Sequence, residues 1–269
     1  MRSSLTSHYG GVRAVYEQAP FYAPGPYEAW LAKAVGERMG LNATHTLADL
    51  GGGSGDFASK VKAAFGAQWL SVIEPSAEML SGAEANAMVD SASCADAVSW
   101  AAAAPEPSKG PAKFDRILLK EVIHHIGGTE RPTLFRALRE QRLSGGEDTN
   151  GRLLIVTRPQ RAIDYPMWPA AYEVWAQNQP SEEQLASELR EAGFGSVHVH
   201  LHCYPHEVGV EEWCRLVHGR FWSTFSDFSD AKLEAGCEHI RGAAGADGVL
   251  RFEDRLLLID AVAHADATE

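Results

Sequence analysis

The sequence predicts an α/β protein built on a doubly wound, mostly parallel sheet. Three observations predict it. Short apolar runs alternate with helix-period segments from residue 46 to 158. A glycine-rich turn, Gly51-Gly52-Gly53-Ser54-Gly55, separates the first such run from the first such helix. Two later runs, Ile117 to Leu119 and Leu153 to Val156, are apolar throughout, as in strands covered on both faces.

Residues 1–45 read as an aromatic, proline-rich arm followed by a helix. Tyr9, Tyr16, Phe21, Tyr22 and Tyr27 are interrupted by Pro20, Pro24 and Pro26. From Tyr27 to Met39, Trp30, Leu31, Ala34 and Val35 share one helical face. Leu47 to Leu50 then reads as the end of a buried strand. Gly51, Gly53 and Gly55 follow at alternate positions, where the missing Cβ lets the backbone turn sharply and approach a ligand. Phe57 to Phe65 looks helical, so its first N–H groups face the turn. The spacing excludes two common ligand loops. A dinucleotide fingerprint counted from Gly51 needs a small residue where Asp56 stands. A phosphate loop needs Gly-Lys-Ser/Thr, and after the glycines no lysine occurs before Lys60.

Trp69 to Ile73 is the second strand, and Pro75 ends it because proline cannot donate to a ladder. Glu74 lies about twenty residues past the glycines, where a strand-end carboxylate meets ribose hydroxyls. Ala77 starts an alanine-rich helix that carries Met79. Ala87 to Ala95 is a weakly marked third strand, closed by Asp96 and Ala97. In the block from Lys113 to Ile126, polar residues begin with Lys120 and Glu121, at the carboxyl edge where ligands of such sheets bind. His124 and His125 follow, as candidates to take a proton from an attacking nucleophile. Read as extended strand, they point to opposite sides and act separately. They have no ligand-like partners in a local motif, and no metal is inferred.

Arg131 to Arg142 reads as a helix with Pro132 in its first turn. Arg152 to Thr157 is the fifth strand, with Arg158 at its carboxyl edge on the presumed substrate side. In the aromatic stretch from Asp164 to Trp175, Trp168, Tyr172 and Trp175 recur at helical intervals. Ser181-Glu182-Glu183-Gln184 has a capping-box pattern and opens a helix to Glu191. Val197 to Cys203 alternates as a sixth strand, and Arg255 to Ala263 gives the last. About fifty residues separate them, far beyond the two to five of a hairpin loop. Trp213, Leu216, Val217, Arg220 and Phe221 fall at helical spacing, and Lys232 to Arg241 is a second helix. The insertion at about 204–250 therefore reads as a helical cap over an acceptor pocket.

The motif Asp49-x-Gly51-x-Gly53-x-Gly55, the acid Glu74 and the apolar segment ending in two histidines resemble the class I S-adenosylmethionine-dependent methyltransferases of the small-molecule type. The resemblance covers nearly the whole chain, with its specific motifs between Leu47 and Ile126. It implies a seven-stranded, Rossmann-like sheet with an antiparallel last strand. It implies S-adenosyl-L-methionine as cofactor and S-adenosyl-L-homocysteine as product. Asp49, Gly51, Gly53 and Gly55 then cradle the cofactor. Glu74 and Pro75 lie at the ribose, Met79 lies against adenine, and Asp96 and Ala97 lie at the adenine amino group. Lys120 and Glu121 border the same site. Residues 1–45 form a lid and first helix over a methyltransferase domain at 46–269, with Tyr22 at the cofactor and Tyr16 at the acceptor. Some relatives carry an arginine after the second tyrosine of this arm; here Phe21-Tyr22-Ala23-Pro24 stands there, and Arg13 is the substitute. Arg158, Trp168, Tyr172, Arg220 and Trp222 are the further residues expected to hold the acceptor.

Composition bounds the function. The net charge of −12 disfavours tight binding to phosphate backbones and gives no polybasic membrane patch. The first thirty residues contain no continuous apolar segment of the secretory kind. Four cysteines without CxxC spacing read as reduced thiols, so a cytoplasmic protein is expected. The expectation is methyl transfer to O, N or S of a small acceptor, organic acids included, by a monomer or homodimer. A non-catalytic cofactor-binding or partner-activating protein would share the glycine turn. A nucleic-acid methyltransferase is disfavoured by the acidity. Adenine-N6 enzymes also carry Asn/Asp-Pro-Pro-aromatic where this chain reads Lys120-Glu121-Val122-Ile123.

Overall fold

A computed structural model describes Phe21 and residues 25–145 and 150–264. The first described helix, α1 (Pro26–Met39), precedes β1 (Thr46–Leu50). There follow α2 (Asp56–Phe65), β2 (Trp69–Ile73), α3 (Ala77–Ala85), β3 (Ser91–Ser93), α4 (Ala97–Ala102), β4 (Arg116–Lys120), α5 (Arg131–Ala137) and β5 (Arg152–Thr157). The chain continues through α6 (Pro169–Asn178), α7 (Glu182–Glu191), β6 (Ser196–Gly209), α8 (Val210–His218), α9 (Asp230–Ala243) and β7 (Val249–Val262).

The seven strands form one sheet in the order β3-β2-β1-β4-β5-β7-β6. β1 pairs in parallel with β2 and β4, with Asp49 opposite Val72 and Leu118. β7 runs antiparallel to β5, with Ile155 opposite Ile259. The strand order therefore reverses direction between β1 and β4. A crevice opens outside the carboxyl ends of strands at such a point.

The chain folds as two compact units. One comprises residues 29–157, 181–201 and 257 onward. Its core is apolar on both faces of the sheet: Ile117, Leu119, Leu153 and Ile155 are fully buried among Phe135, Leu185 and Leu189. A buried ion pair joins α5 to α7, with Arg131 Nε 2.7 Å from Glu188 Oε2 and Nη2 2.8 Å from Oε1. Ser181 caps α7 as its sequence pattern predicts, its Oγ accepting from the Gln184 amide at 3.2 Å. The helix expected over 131–142 widens instead into a π-helical turn at Leu138–Arg142. There the Arg142 guanidinium lies 4.2 Å from the centre of the Trp100 ring.

The other unit comprises the described residues up to Glu28, with 158–180 and 202–256. It is an aromatic core around one carboxylate. Asp254 is fully buried and accepts hydrogen bonds from Tyr27 Oη, Tyr165 Oη and both Nε and Nη2 of Arg158. Burial alone would raise the Asp254 pKa, but the Arg158 charge and these hydrogen bonds outweigh it and hold the pKa below the usual carboxylate value. β6 and β7 are longer than the sequence predicts. In β7, exposed Arg251 and Glu253 alternate with buried Leu250, Phe252 and Asp254. Those charges hid the period-2 pattern of the strand.

Candidate active site

β1 delivers Asp49 to the sheet edge, and three left-handed glycines turn the chain from there into α2. Gly51, Gly53 and Gly55 have φ of 73°, 57° and 74°. A side chain is strained in that region, so the alternate glycines of the sequence have a conformational cause. They also lack room. A Cβ on Gly51 would overlap a methyl of Val122, and one on Gly55 would lie 2.9 Å from Val89 Cγ2. A Cβ on Gly53 would lie 3.0 Å from Met79 Cε, which brings Met79 onto the turn.

Glu74 enters the same turn. It is buried, with Oε2 accepting from the Gly53 amide at 3.1 Å and Oε1 from the Ser76 amide at 2.8 Å. Burial pushes its pKa up, and the two amides oppose the shift. Asp49 is buried beneath the glycines, and a Cβ on Gly52 would lie 2.5 Å from its Oδ2. Burial raises its pKa to about 7 against the charge of Lys120, with Glu74 adding to the rise. Lys120 ends β4 and holds Nζ 4.9 Å from the centre of the Phe57 ring. Asp49, the glycines, Glu74, Met79 and Lys120 thus meet at one sheet edge. Pro75 stands between Glu74 and Ser76, whose Oγ caps α3.

Asp96 and Ala97 stand at the start of α4. The Asp96 carboxylate accepts from Ser99 N at 2.9 Å and from Ser99 Oγ at 2.8 Å, so it caps the helix.

Beyond β4 the structure departs from the extended reading. Glu121 has φ of 59°, rare for a residue with a side chain, and its amide donates to Val156 O at 2.8 Å. Val122 then covers Gly51, and Ile123–His125 form a single 3-10 turn. The rings of His124 and His125 therefore do not point to opposite sides. Their centroids are 3.9 Å apart with planes tilted by 56°. A tight turn replaces strand period with side-chain adjacency. The bend at Glu121 and the seat of Val122 on Gly51 have no signature in the sequence.

The residues expected to hold the acceptor fall in the aromatic unit. Arg158 is buried, and its guanidinium carbon lies 5.1 Å from the Phe21 ring centre and 5.5 Å from that of Trp222. Trp168 and Trp222 are buried, and Tyr172 Oη donates to Tyr165 O at 2.5 Å. Arg220 has φ of 51° and donates to Phe228 O at 3.0 Å and Asp230 Oδ1 at 2.7 Å. Both arginines are engaged by groups of the chain itself. Tyr16, Tyr22 and Arg13 lie outside the described residues. Among the described residues no three His, Cys, Asp or Glu side chains are placed to hold a metal ion, and no helix is long and apolar enough to cross a membrane.

No protein-family model matches the chain. No curated protein matches it by sequence. Solved structures do match. A phosphoethanolamine N-methyltransferase from Haemonchus contortus, solved with S-adenosylhomocysteine, superposes with a TM-score of 0.55 at 18% identity. That match covers 96% of this chain and 57% of the nematode protein, so the chain spans a little over half its length. A methyltransferase of an antibiotic biosynthesis pathway from Anabaena variabilis gives 0.65 at 17% identity, over 86% of this chain and 96% of that one. The 4+2 cyclase SpnF gives 0.58 at 17% identity, over 97% and 94%. With the strand order, the reversed last strand and the glycine turn, these likenesses show that the chain has the fold of the class I S-adenosylmethionine-dependent methyltransferases.

Proposed function

We propose that the chain transfers a methyl group from S-adenosylmethionine to a small acceptor. One observation carries the reading: three left-handed glycines close around a buried carboxylate, Glu74, that is already aimed into their turn. Cβ atoms at Gly51, Gly53 and Gly55 would crowd the residues around this cradle, and its donors and acceptors suit a nucleoside. Asp49, the glycines and Glu74 would hold the cofactor, with Met79 and Lys120 at its sides. Glu74 keeps lone pairs for ribose hydroxyls, since each of its oxygens accepts one backbone amide. Bound S-adenosylmethionine supplies a methyl group activated by its sulfonium, and S-adenosylhomocysteine remains. The chain's own work is orientation and exclusion of water, which can supply about 7–11 kcal/mol in favourable cases. His124 and His125 stand beyond the β4 edge as proton acceptors for a phenol, alcohol, thiol or ammonium. A carboxylate acceptor needs no base. The pairing of Arg158 with Asp254 and of Arg220 with Asp230 favours an uncharged or cationic acceptor over an organic acid.

The likeness to a cyclase supports a second reading, because one fold hosts reactions other than methyl transfer. Binding of the cofactor without turnover would mark that outcome, or a partner-activating subunit. The test is release of S-adenosylhomocysteine against panels of amines, phenols, thiols and acids, with His124→Ala and His125→Ala as controls. Turnover with one panel that falls in a histidine variant, at unchanged cofactor affinity, supports the proposal. Tight cofactor binding with no release from any panel overturns it.

A further inference from the structure

α8 and α9 meet through two thiols that the proposed methyl transfer does not use. Both are buried, Cys214 at 2% exposure and Cys237 at 0%, whereas Cys94 and Cys203 are exposed. Glu211, Cys214 and His218 share one face of α8, and Glu234, Cys237 and Arg241 share one face of α9. The two faces pair in antiparallel register. Arg241 clamps Glu211, with Nε 2.8 Å from Oε1 and Nη2 3.0 Å from Oε2. His218 Nε2 lies 3.0 Å from Glu234 Oε2. Between these two flanking pairs the cysteines face each other. Cys214 Sγ lies 3.9 Å from Cys237 O, and Cys237 Sγ lies 3.8 Å from Cys214 O. Each helix is also anchored beside its cysteine. Trp213 Nε1 donates to Pro166 O at 2.7 Å, and a Cβ on Gly236 would lie 2.4 Å from the Trp168 ring.

We propose that Cys214 and Cys237 are a redox pair, which a peroxide oxidises to a disulfide that ties α8 to α9. Cys214 reacts first. Its sulfur attacks a peroxide oxygen, the O–O bond breaks, and the departing hydroxide takes the thiol proton to leave as water. The Cys237 sulfur then attacks the sulfenic acid. The S–S bond forms, the S–O bond breaks, and a second water leaves with the Cys237 proton. Two electrons pass from the sulfurs to the peroxide. The order follows from the surroundings. Burial raises both thiol pKa values, that of Cys237 to about 12; the contact between the thiols opposes the rise at Cys214 and adds to it at Cys237. Cys214 is therefore the readier thiolate. Oxidation is slow, because both thiols are buried and protonated at neutral pH, and it proceeds when α8 and α9 part locally. The flanking ion pairs are exposed, so they resist that opening only weakly. Once formed, the bond closes a loop through Arg220 and Trp222 and restrains the unfolded chain.

The full chain with Cys94→Ser and Cys203→Ser keeps only this pair of thiols and tests it. Excess hydrogen peroxide, left overnight, should make the intact mass lighter by two hydrogen atoms. Neither thiol should then react with iodoacetamide after denaturation. The oxidised chain should melt at a higher temperature than the reduced one, and dithiothreitol should reverse both changes. Peptide mapping of the peroxide-treated wild type should find the same link between Cys214 and Cys237. With Cys237→Ser added to the background, dimedone should trap a sulfenic acid on Cys214. With Cys214→Ser added instead, the adduct on Cys237 should be about tenfold less, as its higher pKa requires. Two alkylatable thiols after the overnight treatment, or sulfinic and sulfonic acids in place of the disulfide, overturn the proposal. Equal dimedone adducts on the two cysteines overturn the order of attack. Every readout is taken without cofactor, so none of these results bears on whether the chain binds S-adenosylmethionine.

Discussion

The amide of Gly53 donates to Oε2 of Glu74 across 3.1 Å, so the turn after β1 is fastened to the strand end after β2. Glu74→Gln keeps one acceptor and turns an amide group toward a backbone N–H. Cofactor affinity should fall about tenfold, near 1.4 kcal/mol, and further in Glu74→Ala. Isothermal titration calorimetry measures it; equal affinity in all three proteins removes Glu74 from the site.

Gly51→Ala should destabilise the fold through two separable effects. The left-handed backbone costs about 1–2 kcal/mol for a residue with a Cβ. The overlap with Val122 adds to this. Gly51→Ala with Val122→Ala should recover the overlap but not the backbone cost. Thermal melts of the two single variants and the double variant decide it, and a strictly additive pair would remove the contact.

Asp49 should make both stability and binding depend on pH. Its pKa is raised by burial to about 7 in the folded chain, against about 3.9 unfolded. The contribution of its protonation to stability is full below about pH 4 and is lost as pH rises toward 7. Asp49→Asn should flatten that part of the stability curve. A cationic cofactor favours the ionised carboxylate, so affinity should rise between pH 6 and 8 in the wild type and stay level in Asp49→Asn. A variant with the wild-type slope would assign the titration to another group.

Asp254 should behave in the opposite sense. Its pKa is lowered in the folded chain, so its stabilisation is present above the unfolded carboxylate value and disappears on acidification through the folded one. Asp254→Asn strands the buried Arg158 guanidinium and should cost about 3–5 kcal/mol. Arg158→Met with Asp254→Asn should cost less than Asp254→Asn alone. Urea unfolding at pH 7 and at about pH 3, below the unfolded carboxylate value, tests both statements, and a smaller loss in Asp254→Asn than in the double variant would contradict the pairing.

The elements legible in the sequence are those whose cause is local. The glycine turn needs left-handed φ, the Ser181 cap needs a side-chain oxygen, and the runs at Ile117 and Leu153 need burial on both faces. Each cause leaves a mark within a few residues. The features that escaped are set by distant partners. Asp254 lies 96 residues from Arg158, and nothing near Arg158 shows that its charge is taken inward. The orientation of the two histidines is not the extended one that the sequence suggests, because the chain bends at Glu121, one residue past the end of the strand. The first half of β7 has no clear strand pattern in the sequence, because its charged residues face outward in alternation with buried ones.

The seat of Val122 on Gly51 has a practical corollary for anyone rebuilding this pocket. The segment that leaves the first strand and the segment that leaves the fourth are cut to fit each other, methyl group into hydrogen-only gap. Grafting either one from another protein of this fold without its mate would jam the joint or hollow it out, so the two must be exchanged as a set.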